Sequence, residues 1–182
     1  DRTVWHVTHS LCKTVTGLCA GILIGDGLLS PDERVADIFP EKASPVARIR
    51  WRGLLVRHLL NMTSGASINE LASVTQTDWV RGFLDSVPQY KPGESFQYNS
   101  MNSYMLSAII CKKTGGTLTE FLQARLFGPM VIRDFHWETC PLGIEKGGWG
   151  LYLKQEDMAK LGLLVLQRGK WDGRALVPED YI

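Results

Sequence analysis

The sequence lacks a long apolar run, an excess of either charge, internal repeats and the histidine and cysteine spacing of a metal site. Twenty lysine and arginine residues stand against 19 aspartate and glutamate residues, for a net charge of +1. This balance provides no basic footprint for nucleic acid or for an anionic membrane, so neither partner is expected. The longest apolar stretch is broken by Gly25 and Asp26, short of the ~18 residues typical of a membrane-spanning helix. We expect no metal ion and no organic cofactor.

Cysteine is scarce, with four residues at positions 12, 19, 111 and 140. Cys12 and Cys19 lie two turns apart on one predicted helix, too far from each other to form a disulfide. Free thiols on a buried helix are typical of a reducing compartment, so we expect a cytoplasmic location. Cys12 is either a reactive thiol or a small buried hydrophobe, and the second interpretation is favoured.

The chain has the composition of a soluble globular protein, with 45% hydrophobic and 21% charged residues. Hydrophobic periodicity predicts a mainly helical organisation with a few short strands. Helices are expected near residues 10–27, 53–61, 78–86, 100–114, 117–127 and 155–168, with a helical turn at 35–39. Strands are expected near 134–138 and 149–153, and loops at 40–51 and 63–77.

The most informative motif is the tetrad Ser10-Leu11-Cys12-Lys13, an S-x-x-K pattern at the start of a predicted helix. Serine is a weak nucleophile and needs a base within hydrogen-bond reach. Residues three apart share one face of a helix, so Lys13 can lie beside the Ser10 hydroxyl. Taken alone, the tetrad is more typical of a serine helix cap followed by a surface lysine.

The residues that follow the tetrad change this balance. Between Val15 and Ile24 the chain is small and apolar on nearly every side, which predicts a buried helix. A buried helix that carries serine and lysine in its first turn is costly because both groups need partners, and function is a common reason for that cost. His9 comes directly before Ser10, but neighbouring residues point in different directions at a helix start. We therefore interpret His9 as a local packing or capping residue.

A second candidate group is the phenol of Tyr98. Pro92 and Gly93 predict a turn, Phe96 and Tyr98 then alternate as in an extended segment, and a helix follows. This order places Tyr98 at a junction between loop and helix, where its side chain can point into a cleft. The alternative is a core aromatic with a bonded hydroxyl group, which would be preferred without the upstream tetrad.

These segments together resemble the serine β-lactamase and penicillin-binding-protein superfamily. The stretch SLCKTVTGLCAGILIGDGLLSPDERVADIFPE resembles its nucleophile helix, and LLVRHLLNMTSG resembles its helix ending in a Thr-Ser-Gly turn. KPGESFQYNSMNSYMLSAI resembles its catalytic-tyrosine segment, and GGWGLYLKQEDMAKLGLLVLQRGKWDG its Gly-rich strand and following helix. The similarity is greatest to the class C β-lactamase-like branch, which includes esterases and D-amino-acid peptidases. It implies an α+β, β-lactamase/transpeptidase-like fold.

The resemblance implies a role for each site residue. Ser10 would be the nucleophile, and Lys13 and Tyr98 would share the general base and acid work. The family motif Y-x-N reads Tyr98-Asn99-Ser100 here, with serine in the third position. The family's asparagine amide is therefore missing at that position. The resemblance implies that the Ser100 hydroxyl would replace it, or Asn99 or Asn102 in a shifted register.

Trp149, in the Gly-rich strand, either lines the substrate cleft or packs in the core. The triplet Lys113-Thr114-Gly115 imitates the family's K-T-G motif. It stands at a predicted helix end, however, where lysine followed by glycine is ordinary C-capping.

The family's first strands and its third motif have no counterpart in these 182 residues. We therefore expect residues 1–182 to form a single partial domain, mostly the helical part of the fold, which could be inactive alone. Apolar surface left uncovered by missing strands would favour self-association.

The function implied is a serine hydrolase that cleaves a small-molecule ester, amide or peptide through an acyl-enzyme. Because the third motif position is serine, an esterase or peptidase/amidase is favoured over a drug-resistance β-lactamase. A non-catalytic ligand-binding or sensor module on the same scaffold is the alternative, and a plain structural helical domain ranks third. Loss of turnover in Ser10→Ala would separate the first from the others.

Overall fold

The computed structural model describes residues 3–73 and 75–182. The helices are α1 (Cys12–Gly25), α2 (Val35–Ile38), α3 (Pro45–Arg50), α4 (Val56–Leu60), α5 (Glu70–Ser73), α6 (Trp79–Asp85), α7 (Ser100–Thr114), α8 (Leu118–Leu122) and α9 (Gln155–Leu166). The strands are β1 (Trp5–Val7), β2 (His136–Trp137), β3 (Leu151–Lys154), β4 (Lys170–Trp171) and β5 (Arg174–Ala175). Turns of 3₁₀ helix cover His9–Leu11 and Glu179–Tyr181, and a π-helical turn covers Gln123–Phe127.

Helix α7 is the centre of the molecule and packs against α1, α4, α6 and α8. Every residue from Ser100 to Ile110 is buried, so this helix has no solvent-facing stripe over those three turns. The buried residues of α1 are mostly small or branched, among them Val15, Ala20 and Gly21. The packing of α1 against α7 places the start of α1 near the start of α7.

The strands form a small antiparallel sheet in the order β1-β3-β2. Trp5 pairs with Lys154, and His136 pairs with Tyr152. Where β1 ends, Thr8 donates both its backbone N–H and its hydroxyl to the carbonyl of Leu151, at 2.8 and 2.9 Å. These bonds stop the strand and fix the turn that leads into α1.

The end of α7 confirms the capping interpretation of Lys113-Thr114-Gly115. Gly115 has a φ of 73° and donates its N–H to the carbonyl of Cys111, as helix C-caps do. Lys113 forms an ion pair with Glu33 at 2.6 Å. The triplet is therefore a helix terminus.

Several elements differ from the sequence-based expectation. Helix α3 lies in the expected loop 40–51, where Ser44 caps the helix and Pro45 occupies its first turn. Helix α5 lies in the expected loop 63–77, and the pairs β1–β3 and β4–β5 were not predicted. The first helix begins at Cys12 rather than residue 10, because a 3₁₀ turn precedes it. In the described ranges, no helix is long and apolar enough to cross a membrane.

Candidate active site

Ser10 lies in the exposed 3₁₀ turn between β1 and α1. The residue before it, His9, has a φ of 46°, in the left-handed region that non-glycine residues seldom adopt. This backbone turn follows the strand end at Thr8 directly and leaves the Ser10 side chain at the surface. The backbone carbonyl of His9 accepts a hydrogen bond from the Cys12 thiol at 3.0 Å, and the packing or capping role of the His9 side chain stays a prediction.

Lys13 lies one turn further on, in the first turn of α1. Its Nζ donates to Ser10 Oγ at 3.0 Å and to the backbone carbonyl of Gly148 at 2.6 Å. The spacing of three residues thus brings the two side chains together, as the tetrad predicts. The Gly148 carbonyl supplies a second acceptor that holds the ammonium group on the Ser10 side.

Tyr98 approaches the same hydroxyl from the loop that precedes α7. Its Oη donates to Ser10 Oγ at 2.6 Å, and Lys13 Nζ lies 4.9 Å from the centre of its ring. Tyr98 is 55% exposed, so this phenol lies at the surface instead of in the core. The serine, lysine and tyrosine named by the sequence motifs therefore converge on one oxygen atom.

The electrostatics of this cluster lower the pKa of the Tyr98 phenol and so ease its ionisation. Burial raises the pKa of Tyr98, but interactions with Lys13 and Ser10 outweigh it, and the resulting pKa lies below its ordinary value of 10.0. A phenolate beside a serine hydroxyl can accept its proton, and the neutral phenol formed can return that proton to a leaving group. The arrangement can thus activate a nucleophile and protonate a product.

Asn99 is held by the protein backbone. Its side-chain amide donates to the carbonyls of Ala66 and Ile68, at 3.0 and 2.7 Å, and its oxygen accepts from the N–H of Met101. The residue caps α7 and fixes the loop at 66–68, and its predicted contact with a substrate stays a prediction. The bond from Met101 is the capping role that asparagine commonly has, and the other two tie the 66–68 loop to the start of α7.

The other two candidates for the missing amide lie inside the protein. Ser100 is buried in the first turn of α7, against the backbone of Gly148. Asn102 is fully buried, and its oxygen accepts from the Ser64 hydroxyl at 2.6 Å. Instead of either side chain, the Gly148 carbonyl receives the second bond of Lys13. Substrate binding by Ser100 stays a prediction.

Trp149 follows Gly148 and lines a cleft of about 520 Å³. Its ring stacks on that of Trp79 with centroids 5.7 Å apart, and Lys146 Nζ lies 5.7 Å from the centre of the Trp149 ring. Leu71 and Pro141 contribute to the same cleft. Trp149 packs on an aromatic neighbour and also lines this cleft, and its contact with a substrate stays a prediction. Sequence reasoning missed Trp79, which carries no motif.

Gly147 and Gly148 form a backbone bridge between α1 and α7, which sequence reasoning also missed. Gly147 has a φ of 65°, and a Cβ there would collide with the carbonyl of Ser103. A Cβ on Gly148 would lie 2.7 Å from the carbonyl of Ser100. Two glycines in succession were the available signal, since close backbone approach requires them.

The Cys12 thiol is not part of the reactive cluster. Cys12 is fully buried, and burial raises its pKa to about 12. A thiol in that state stays protonated and unreactive at neutral pH, which supports its interpretation as a small buried hydrophobe. In residues 3–73 and 75–182, no group of three or more histidine, cysteine, aspartate or glutamate side chains is arranged to hold a metal ion.

Comparison with proteins of known sequence gives relatives named as hydrolases. The chain is 24% identical to "Beta-lactamase" of Escherichia coli (strain K12) over 144 residues, covering 78% of this chain and 37% of that protein. It is 27% identical to the 6-aminohexanoate-dimer hydrolase of Paenarthrobacter ureafaciens, covering 97% of this chain and 49% of that protein. It is 26% identical to the lovastatin esterase of Penicillium rubens, covering 69% and 37%. The chain thus spans half or less of each relative's length.

Comparison with solved structures identifies the same fold. The structure named "Putative 6-aminohexanoate-dimer hydrolase from Bacillus anthracis" matches 99% of this chain and 52% of its own, with a TM-score of 0.81 and 18% identity. This match shows the α+β, β-lactamase/transpeptidase-like fold. The family model described as Beta-lactamase matches residues 2–174. The chain therefore belongs to the β-lactamase family, within the serine β-lactamase/transpeptidase-like superfamily.

Proposed function

We propose that this chain carries the nucleophile and the general acid/base of a serine hydrolase that cleaves an ester or amide bond. The observation that supports it most strongly is the convergence on Ser10 Oγ, 2.6 Å from Tyr98 Oη and 3.0 Å from Lys13 Nζ. A serine with a base within hydrogen-bond reach is the geometric signature of an activated nucleophile. Relatives named as a hydrolase and an esterase support the same reaction class.

Acylation uses the three groups in order. Ser10 Oγ attacks the carbonyl carbon of the substrate, and its proton passes to the phenolate of Tyr98 while Lys13 holds the pair in position. The tetrahedral intermediate collapses as the bond to the leaving group breaks, and Tyr98 returns the proton to the departing oxygen or nitrogen. An acyl-enzyme on Ser10 and the free alcohol or amine remain.

Deacylation repeats these steps with water. Tyr98, again ionised, takes a proton from a water molecule whose oxygen attacks the acyl carbon. The bond between that carbon and Ser10 Oγ breaks, and the proton passes back to Ser10. The acid product leaves, and the cluster returns to its starting protonation state. Neither half-reaction requires a cofactor.

The cleft beside Trp149 is the proposed site for the acyl part of the substrate. It starts one residue from the carbonyl that holds Lys13, and Trp79 and Trp149 provide aromatic surface for a flat or apolar group. The third motif position is Ser100, which supplies no amide for a β-lactam amide group. We therefore favour an esterase or an amidase/peptidase activity over β-lactam hydrolysis.

A series of p-nitrophenyl esters with acetyl, butyryl and phenylacetyl groups tests this proposal, together with a p-nitroanilide and a chromogenic β-lactam. We expect turnover of the esters, faster for the phenylacetyl group, and loss of all turnover in Ser10→Ala. Trp149→Ala should remove the preference for the aromatic acyl group while keeping acetyl ester turnover. Turnover that persists in Ser10→Ala would overturn the proposal, whereas ligand binding without turnover would favour a non-catalytic module.

A further inference from the structure

Thr16 makes a buried hydrogen bond that no catalytic step described above uses. It lies one turn after Lys13 on α1 and has no exposed surface. Its hydroxyl donates to the carbonyl of Gly147 at 2.7 Å, across 131 residues of sequence. A buried hydroxyl needs a partner, and this one is paired with the segment that also contacts Lys13.

That segment is confined from the opposite side by α7. The backbone at Gly147 and Gly148 lies against the carbonyls of Ser103 and Ser100, too close to allow a Cβ at either glycine. The Gly147 carbonyl accepts the Thr16 bond, and the next carbonyl, of Gly148, accepts the Lys13 bond at 2.6 Å. Because peptide groups are planar, only the two backbone dihedrals of Gly148 separate these two acceptors.

We propose that Thr16 is a positioning residue that fixes the Gly148 carbonyl and thereby directs Lys13 toward Ser10. The chain of contacts runs from the Thr16 hydroxyl to the Gly147 carbonyl, on to the Gly148 carbonyl, and from there to Lys13 Nζ. The inference rests on the proposed function, because it assigns Thr16 a part in orienting the Lys13 of that mechanism. In this chain the Gly148 carbonyl is the second acceptor that holds Lys13 beside Ser10.

Other bonds hold α1 in place without Thr16. Thr8 donates to Leu151 where β1 ends, and the Tyr181 hydroxyl donates to the carbonyl of Gly17 at 2.8 Å. We therefore expect Thr16→Val, which keeps the shape of the side chain but removes the hydroxyl, to fold. Thr16→Ser retains the donor, and Thr14→Val removes an exposed hydroxyl from the same helix as a matched control.

The first readout needs no catalysis. In ¹³C-lysine-labelled protein, the two Hε protons of a fixed lysine give separate NMR signals, and those of a freely rotating lysine coincide. The signal of Lys13 is identified as the one missing from Lys13→Met. We expect separate Hε signals in the wild type, Thr16→Ser and Thr14→Val, and a single averaged signal in Thr16→Val.

The second readout is the reaction of Ser10 with a fluorophosphonate. At saturating probe, we expect acylation of Thr16→Val to be about 10- to 100-fold slower than wild type, as for a displaced catalytic group. The probe concentration giving half the maximal rate should not change, because Thr16 does not line the cleft. Thr16→Ser should restore most of the rate.

Three NMR results would overturn the inference: averaged Lys13 Hε signals in the wild type, unchanged signals in Thr16→Val, or averaged signals in Thr16→Ser. Averaged signals in the wild type would overturn the inference even where a variant fails to fold. The expected NMR pattern without wild-type acylation would support the positioning role and overturn the proposed function. Equal acylation rates in the wild type and Thr16→Val would support the proposed function and overturn the positioning role.

Discussion

The hydroxyl of Tyr98 lies 2.6 Å from the hydroxyl of Ser10, although 88 residues separate them in the chain. The contact exists because α1 and α7 pack side by side with their first turns at one end of the molecule. Ser10 stands just before one helix and Tyr98 just before the other. The packing of two buried helices thus places the exposed side chains of Ser10 and Tyr98 in contact.

Removal of the Tyr98 hydroxyl should abolish most of the reactivity of Ser10 without unfolding the protein. We expect Tyr98→Phe to slow acylation by roughly 10²- to 10⁴-fold, the usual contribution of a general acid/base. Because the side chain is half exposed, its thermal unfolding midpoint should stay close to wild type. Stopped-flow release of p-nitrophenol measures the rate, and Tyr90→Phe, at another exposed tyrosine, is the control. Equal rates in Tyr98→Phe and wild type would remove Tyr98 from the mechanism.

Acylation should depend on pH through the phenol of Tyr98. Its pKa is lowered from 10.0 because interactions with Lys13 and Ser10 outweigh the opposing effect of burial. The ionised form is the proton acceptor, so the rate should rise with pH and level off after a midpoint below 10. In Lys13→Met the stabilising cation is lost, and the midpoint should move upward while the maximal rate falls. A midpoint that is unchanged in this variant would contradict the assignment.

Gly148 should tolerate no side chain. A Cβ there would lie 2.7 Å from the carbonyl of Ser100, so Gly148→Ala must displace backbone and move the acceptor of Lys13. We expect both a lower unfolding midpoint and slower acylation. Gly162→Ala is the matched control, since a Cβ at this position in α9 meets no atom within 4 Å. That substitution should stabilise the helix by about 0.5–1 kcal/mol and leave acylation unchanged. Calorimetry measures the unfolding midpoint and the acylation assay measures the rate, and together they distinguish Gly148→Ala from Gly162→Ala.

Cys12 should not react with thiol reagents in the folded protein, despite its place inside the tetrad. Burial raises its pKa to about 12, so the thiolate is negligible at pH 8. We expect no alkylation of Cys12 by iodoacetamide in the folded protein, and full alkylation after denaturation. Peptide mapping by mass spectrometry reads both states. Rapid modification of Cys12 in the native protein would instead support its interpretation as a reactive thiol.

The site residues could be predicted where local spacing carries the information. Ser10 and Lys13 are three residues apart at a helix start, so one turn of backbone brings them together whatever the rest of the fold does. The partnership with Tyr98 depends on the packing of two distant helices. That partnership was predicted instead from the resemblance of several segments, in the correct order, to the superfamily.

Other features leave little trace in the sequence. The second acceptor of Lys13 is a backbone carbonyl, which every residue possesses, and only the pair Gly147-Gly148 marks a close approach. Strand β1 is only three residues long and all three are exposed, so it is too short to give a pattern that indicates a sheet. Helix α3 differs, because Ser44 followed by Pro45 is a recognisable helix start that should have been read as one.

The most direct test of the account is covalent labelling of this 182-residue chain by a fluorophosphonate, read by intact mass. We predict a single adduct in the wild type, mapped to Ser10 and absent from Ser10→Ala, with slower formation in Lys13→Met and Tyr98→Phe. Such a result would show that the cluster around Ser10 Oγ activates the serine. A wild-type chain that stays unlabelled while correctly folded, or an adduct that survives in Ser10→Ala, would contradict the central claim.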